Sequence, residues 1–586
     1  MQKNWDLSGI FASSDDAISE GKRVLKCCKE FNSKYLGKLL QMKNQNTLLP
    51  CIQEYAKLSA DICKLDSYAY LLNSTHLNNP KYGKFFQNIS DLTDECKKTL
   101  LFLPLEIRTH FTLDDFHDVN DMGVLSWIKK CLRLKPHTIK PEQELILSDM
   151  SSLETYWIRL YNETCAKLKV NIDGKEYNEG EVYELFTGKD EAIRNVAQKK
   201  VMEWFASRID KFALIYNALI KSRQTEANWH NYTYPEHLAN LSNDIVKEDL
   251  DNLVETLVKF NFISNRYYAL KAKILGKNKI SYVDRLAPYP FDTESKKYTI
   301  EEAKEIILSA FNEFSEQFAS VAKTAFDNNL IDYYPYEGKA SGAYCMEMPV
   351  DNPSFVFTNF TGSIGDVYTL AHELGHFVHE TVCKKYGELG REKSCAQAET
   401  ASVFAEYIVF NALLNEVKNP QEKFVLLASH IEDMIATVFR QIAFHRFEHQ
   451  AHTLRREEGE LSAQRLNDIF LNCMQDYLGP AVDTTGVESL WCSIPHFFEY
   501  QFYVYSYSFS ACVVNSLYEV YLSENTDKSE FAVKYMEMLT ESGIENYRDA
   551  LKRFNIDAAS PDFWANAIGY IEHELKTLEK LAIEIS

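Results

Sequence analysis

Glycine and proline are scarce, 21 and 15 among 586 residues. So few turn formers disfavour a many-stranded β protein and point to long helices. No run approaches the ~18 apolar residues of a membrane span. The opening MQKNWDLSGIFASSDDAI has no apolar stretch behind a basic start, so no export signal is expected. The 13 cysteines are scattered and none falls in a CxxC pair. That usage reads as reduced thiols in a cytoplasmic protein rather than a disulfide frame. Basic charge is also short: 63 Lys and Arg against 84 Asp and Glu leave a net −21. Nucleic-acid phosphates need basic patches, so the expected partners are peptides or small molecules, with no nucleic acid and no membrane. No low-complexity linker and no short repeat period is present.

Hydrophobic residues make up 46% of the chain, enough for a large core. Apolar residues recur at three and four through stretches such as EAIRNVAQKKVMEWFASRIDKFALIYNALIKSR, the helical period. KVNIDGKEYN carries Asp173-Gly174 between alternating residues, which predicts a hairpin. SGAYCMEMPVDNPSFVFTNF reads as extended and ends on the β-type run Phe355-Val356-Phe357. The expectation is a mainly α protein of two helical lobes with a change of role near residue 190. That gives an N-terminal helical lobe over 1–190, hairpin included, and a catalytic region over 191–586.

TLAHELGHFVHE, residues 369–380, is the most informative stretch. At about 100° per residue, His372 and His376 lie about 40° apart on one helical face, so both imidazoles can reach one ion. Val367, Leu370, Ala371, Leu374 and Val378 fall on the other side. Asp366 or Ser363 could cap the start of this helix, and Gly387 could end it. Glu373, about 100° from His372, can reach an activated water without ligating the metal. Gly375 has no side chain and permits close approach of another segment. His379 shares the histidine face, but HFVHE does not continue as HxxGxxH, so its role is structural or supporting.

A catalytic zinc site takes three protein ligands and leaves one position open. CAQAETASVFAEYIVFNALL is helical in period and sets Glu399 and Glu406 two turns apart on one face. One of the two can ligate the metal and the other can support a ligand histidine. A rival lies downstream: His445, Glu448 and His449 spell HxxEH, the inverted zinc-peptidase order. A cluster of His496, Tyr500, Tyr503, Tyr505 and Tyr507 could supply donors to a carbonyl oxygen that gains charge. Tyr500 and Tyr507, seven apart, are expected on one helical face.

Taken together, these stretches resemble oligoendopeptidase F, within the thimet-oligopeptidase group of zinc peptidases. The likeness runs through WDLSGIF, VNIDGKEY, GKASGAYC, TLAHELGHFVH, ETASVFAEY, FRQIAFHRFEH and IPHFFEYQFYVYSYSFS, nearly the whole chain. The resemblance implies two helical lobes around a deep substrate channel, with a zincin-type (gluzincin) core and a small β-sheet. It implies His372, His376 and Glu399 as ligands of one Zn2+ per chain, with Glu373 as general base and Glu406 in the outer shell. It implies Tyr507 as oxyanion donor, with His496 and Tyr500 holding substrate or intermediate. The HxxEH residues then fall in a packing helix. YSFSA departs from the family, which often has Ala, Thr and Gly here. The implied activity is endopeptidase cleavage of short peptides. The alternatives are a metallocarboxypeptidase or dipeptidyl carboxypeptidase on the same scaffold, or a non-catalytic peptide binder.

Overall fold

Helices carry most of the chain, as the shortage of turn formers implies. The computed structural model describes residues 5–43, 48–291 and 296–585, and among these the strands form three small sheets. Two compact units divide the chain. One comprises Met1–Thr138, Glu294–Asn415 and Val520–Asp557; the other comprises Ile139–Thr293, Glu416–Glu519 and Ala558–Ser586. Each is assembled from three separated segments, so no single cut divides them. The 1–190/191–586 division stays a proposal about role.

In the first unit, helices Ser14–Tyr35, Leu48–Ser74 and Pro80–Leu100 pack on one another. Val24, Cys28 and Phe31 of the first are buried, as are Leu65 of the second and Ile89 and Cys96 of the third. Their three- and four-residue spacings form the apolar stripe that a helix turns towards a core. A three-stranded sheet lies beyond them. Phe355–Phe357, the expected β run, is its central strand. It pairs parallel with Ile331–Asp332 and antiparallel with Tyr344–Met346. Trp5 rests on this sheet, its ring 5.8 Å from Phe355 and 5.9 Å from Phe357.

A buried ion pair ties the sheet to the GKASGAYC segment. Lys339 Nζ donates to Asp332 Oδ1 at 2.6 Å, to the Thr358 carbonyl at 2.6 Å and to the Tyr334 carbonyl at 2.9 Å. Both side chains are 1% exposed.

In the second unit, Lys169–Ile172 and Lys175–Asn178 form the expected hairpin. Asp173 and Gly174 both have positive φ, 52° and 86°, as a type I′ turn requires. Helix Ile209–Trp229 packs through Tyr216 against Phe447 of helix Gln441–Glu458, and against Trp491 and Phe498. A π-helical turn, Ala436–Arg440, joins Pro420–Ile435 to Gln441–Glu458. Among the described residues no helix is long and apolar enough to cross a membrane.

Lys339→Met would leave Asp332 buried without its cation, at a cost of about 3–5 kcal/mol. Thermal unfolding should show a clear drop in midpoint. Adding Asp332→Leu should recover part of it, and an unchanged midpoint for Lys339→Met alone would contradict a stabilising pair.

Candidate metal centre

The histidine-bearing helix spans Ile364–Cys383. Ser363 caps it: its hydroxyl accepts from Asp366 N at 3.1 Å, and Asp366 Oδ2 accepts from Ser363 N at 3.0 Å. The sequence offered both residues, and they act as one reciprocal capping box. The α-helix stops at Cys383; a 3-10 turn, Lys384–Tyr386, carries on to Gly387 at φ 73°. Val367, Leu370, Ala371, Leu374 and Val378 are all 0% exposed, the expected apolar back.

The helix Cys395–Glu416 lies against this one. Tyr535 OH donates to the Thr400 carbonyl at 2.9 Å, and Phe404 packs on the Tyr535 ring at 4.4 Å. The contact between the two helices is backbone to backbone. A Cβ on Gly375 would stand 2.6 Å from the Ala401 carbonyl oxygen and 2.7 Å from Ser402 Cα. Only glycine admits this approach.

The approach brings the predicted ligands together. Glu399 Oε2 lies 3.4 Å from His372 Nε2 and 3.5 Å from His376 Nε2. Among the described residues, His372, His376 and Glu399 form the one His/Cys/Asp/Glu group suited to an ion, with ligand atoms all within 4.8 Å. Tetrahedral zinc with bonds of ~2.0–2.2 Å needs ligand atoms about 3.3–3.6 Å apart. The donor set therefore fits zinc. Glu406 Oε2 sits 3.4 Å from the other ring nitrogen, His372 Nδ1. Ser402 Oγ donates to Glu399 Oε2 at 2.8 Å, a contact with no signal in the sequence beyond its three-residue spacing.

Electrostatics follow from the burial. Burial works against a charged His372, but hydrogen bonds to Glu399 and Glu406 outweigh it and hold the imidazole well above its usual range. Glu399 is held well below the carboxylate range: burial would raise it, and its bonds to both histidines prevail. Burial pushes Glu373 up, against the pull of His372 and His376. Its Oε2 is buried with no hydrogen-bond partner.

His379 is not in the cluster. It is fully buried and its Nε2 meets Ser542 Oγ at 2.7 Å, a structural contact. The HxxEH residues form no such group. His449 Nδ1 bonds the buried Glu236, His445 Nε2 lies 3.9 Å from the same carboxylate, and Glu448 Oε1 accepts from Phe502 N at 2.8 Å.

The tyrosine stretch departs from the expected single helical face. A short helix covers Pro495–Glu499 and the next begins at Tyr505. Between them the chain turns through Phe502 at φ 52°. Tyr500 is thus off the helix that carries Tyr507, because the left-handed residue breaks the helical period. Tyr507 OH still lies 3.4 Å from His496 Nε2. Tyr503 sits between them, its ring 5.9 Å from His496 and 5.3 Å from Tyr507. Its place was legible only as four residues before Tyr507. Tyr500 is 60% exposed, with its ring 6.4 Å from that of His496. Tyr505 is wholly buried and bonds Asn240 and Asn243. Ser508, in the departing YSFSA, is buried, and its Oγ donates to the Val438 carbonyl of the π turn at 2.8 Å.

Comparison with known proteins bears on the family and the fold. The family described as "Peptidase family M3" matches residues 185–570. "Oligopeptidase PepF" of Bacillus subtilis is 26% identical over 100% of this chain and 88% of its own length. "Group B oligopeptidase PepB" of Streptococcus agalactiae is 25% identical over 98% of this chain and 96% of its own. The fold is shared with the crystal structure of oligoendopeptidase-F from Enterococcus faecium. That likeness has a TM-score of 0.74 at 23% identity, over 98% of this chain and 100% of that one.

Gly375→Ala should force the two helices apart and cost about 1–3 kcal/mol, the scale of overpacking. Thermal unfolding should report the loss. Zinc titration against a chromophoric chelator should report weaker binding, because Glu399 moves with its backbone; wild-type affinity would contradict the contact's role.

Proposed function

The chain belongs to peptidase family M3 and is a peptidase, and from that premise we propose that it is a zinc-dependent endopeptidase of short peptides, acting in the cytoplasm. The convergence of His372, His376 and Glu399 beside a buried, partnerless Glu373 oxygen carries this reading. Zinc held there would polarise the scissile carbonyl and make water a nucleophile near neutral pH, at a pKa of ~7.

The chain's own residues do the rest. Glu406 accepts the Nδ1 proton of His372, which fixes the tautomer that leaves Nε2 free to ligate. Ser402 fixes the Glu399 carboxylate. Glu373 takes the proton of the attacking water and returns it to the leaving amine nitrogen. Its burial raises its proton affinity, in keeping with a base that must hold the proton between these steps. Tyr507 donates to the oxyanion, and His496 and Tyr500 hold the substrate or the intermediate. The 191–586 region carries all of these residues, and 1–190 would shape access to them.

A peptide blocked at both ends tests the reading. Internal cleavage that a chelator abolishes and zinc restores is expected. Release restricted to the free C-terminus of unblocked peptides would mark a carboxypeptidase instead.

Glu373→Gln should keep its zinc, measured by elemental analysis, and lose activity by roughly 10²-fold or more. Glu399→Gln should lose the metal. Glu406→Gln should keep it with affinity reduced by roughly 10–100-fold, the scale of an outer-shell partner. Metal loss in Glu406→Gln alone would reverse the two glutamates.

Tyr507→Phe should lower kcat by the equivalent of roughly 2.7–4 kcal/mol with little change in KM, as loss of an oxyanion donor does. Its unfolding midpoint should hold, because the ring stays. Near-normal kcat in the zinc-loaded variant would transfer the role to another donor.

A further inference from the structure

Helix Gln441–Glu458 carries a carboxyl that the proposed chemistry leaves unused. Glu448 is 0% exposed. Its Oε1 accepts the Phe502 N–H at 2.8 Å, and its Oε2 has no hydrogen-bond partner. Phe502 is bulky and sits at φ 52°, a conformation that such a residue keeps only when its surroundings impose it. Its ring is clasped by that of His452, 4.7 Å away, and Gln501 Nε2 lies 3.5 Å from His452 Nδ1. At the other end of the turn, Arg223 donates to the Phe498 carbonyl at 3.2 Å. The helix after the turn is fixed separately, by Tyr505 on Asn240 and by Ser508 on the π turn. These contacts hold the ring of Phe502 and the flanks of the segment, whereas Glu448 bonds the backbone N–H of the left-handed residue itself.

We propose that Glu448 is a positioning residue for the tyrosine turn: its buried carboxyl holds the Phe502 N–H and so sets where Tyr500 and Tyr503 stand against His496 and Tyr507. The catalytic consequence rests on the proposed oxyanion role of that cluster. The positioning itself does not.

The contact needs an acceptor, not a charge. Burial pushes Glu448 up to about 8, while the Phe502 N–H and Arg223 draw it down and Glu236 pushes it up. Tyr216 faces it from helix Ile209–Trp229, and His445, His449 and His452 share its own helix. Glutamine keeps the acceptor, the shape and the neutral state. Leucine keeps the shape alone.

Hydrogen exchange of the folded, zinc-loaded protein is the first readout. Glu448→Leu should speed exchange across residues 500–504 at least tenfold, and Glu448→Gln should match the wild type. Equal protection in all three overturns the proposal. Should Glu448→Leu fail to fold, the unbranched Glu448→Met takes its place. The second readout is kinetic: Glu448→Leu should lower kcat with little change in KM, and adding it to Tyr507→Phe should bring less than the product of the two losses. If Tyr507→Phe retains kcat, the oxyanion role fails, and exchange still decides the positioning. A third readout is pH. The folded pKa lies above the unfolded value, so this group's contribution is whole below about 4.5 and lost as pH rises through about 8. The midpoint of Glu448→Gln should therefore gain on the wild type between about pH 4 and 9, flanking those two values, and a constant difference would contradict a buried neutral acid.

Discussion

The convergence of the candidate ligands depends on one backbone contact, Gly375 against Ala401 and Ser402. Two helices with ordinary side chains at their crossing pack 8–10 Å apart, about the reach of two extended side chains. Here the missing Cβ lets a glutamate oxygen come within 3.5 Å of two imidazole nitrogens at once. The heptad spacing on the second helix then places Glu406 on the opposite edge of His372. One imidazole is thus held at both nitrogens from a single neighbouring helix. That is a stiffer arrangement than two independent loops could give.

The candidate site was legible wherever the residues have a local period. His372, Glu373, His376, Glu399 and Glu406 follow from helical spacing, and the 355–357 strand and the Asp173-Gly174 turn from alternation and turn chemistry. The exact partners were not legible. Ser402 bonds a carboxylate on its own helix, but a serine on a helix face usually serves no such purpose. The tyrosine stretch failed for a definite reason. Phe502 is left-handed where nothing in its own side chain favours it, so the helical spacing of Tyr500 and Tyr507 was interrupted by a tertiary constraint. The reciprocal cap at Ser363 shows the opposite case, in which both candidate residues were needed.

Two short histidine–glutamate motifs occur in this chain, and the convergence of their side chains separates them. The side chains of His372, His376, Glu399 and Glu406 keep 19–28% of their exposure, enough for an ion or water to enter. His445 and Glu236 keep 4% each, and Glu448 is sealed. In the second motif His449 bonds Glu236 and Glu448 Oε1 accepts from Phe502 N, while Glu448 Oε2 and His445 Nδ1 are buried without a partner. The residue types are the same in both, and what differs is that only the first set brings three ligand atoms within 4.8 Å of one another.

The segmental make-up of the units has a consequence for biosynthesis. His379, on helix Ile364–Cys383, bonds Ser542, which is 163 residues further on. At about 5–20 residues per second of translation, roughly 8–33 s separate their synthesis. During that interval the largely apolar Cys395–Glu416 helix lacks Tyr535, its later cover. The nascent chain therefore carries this apolar face without its final cover until late in elongation.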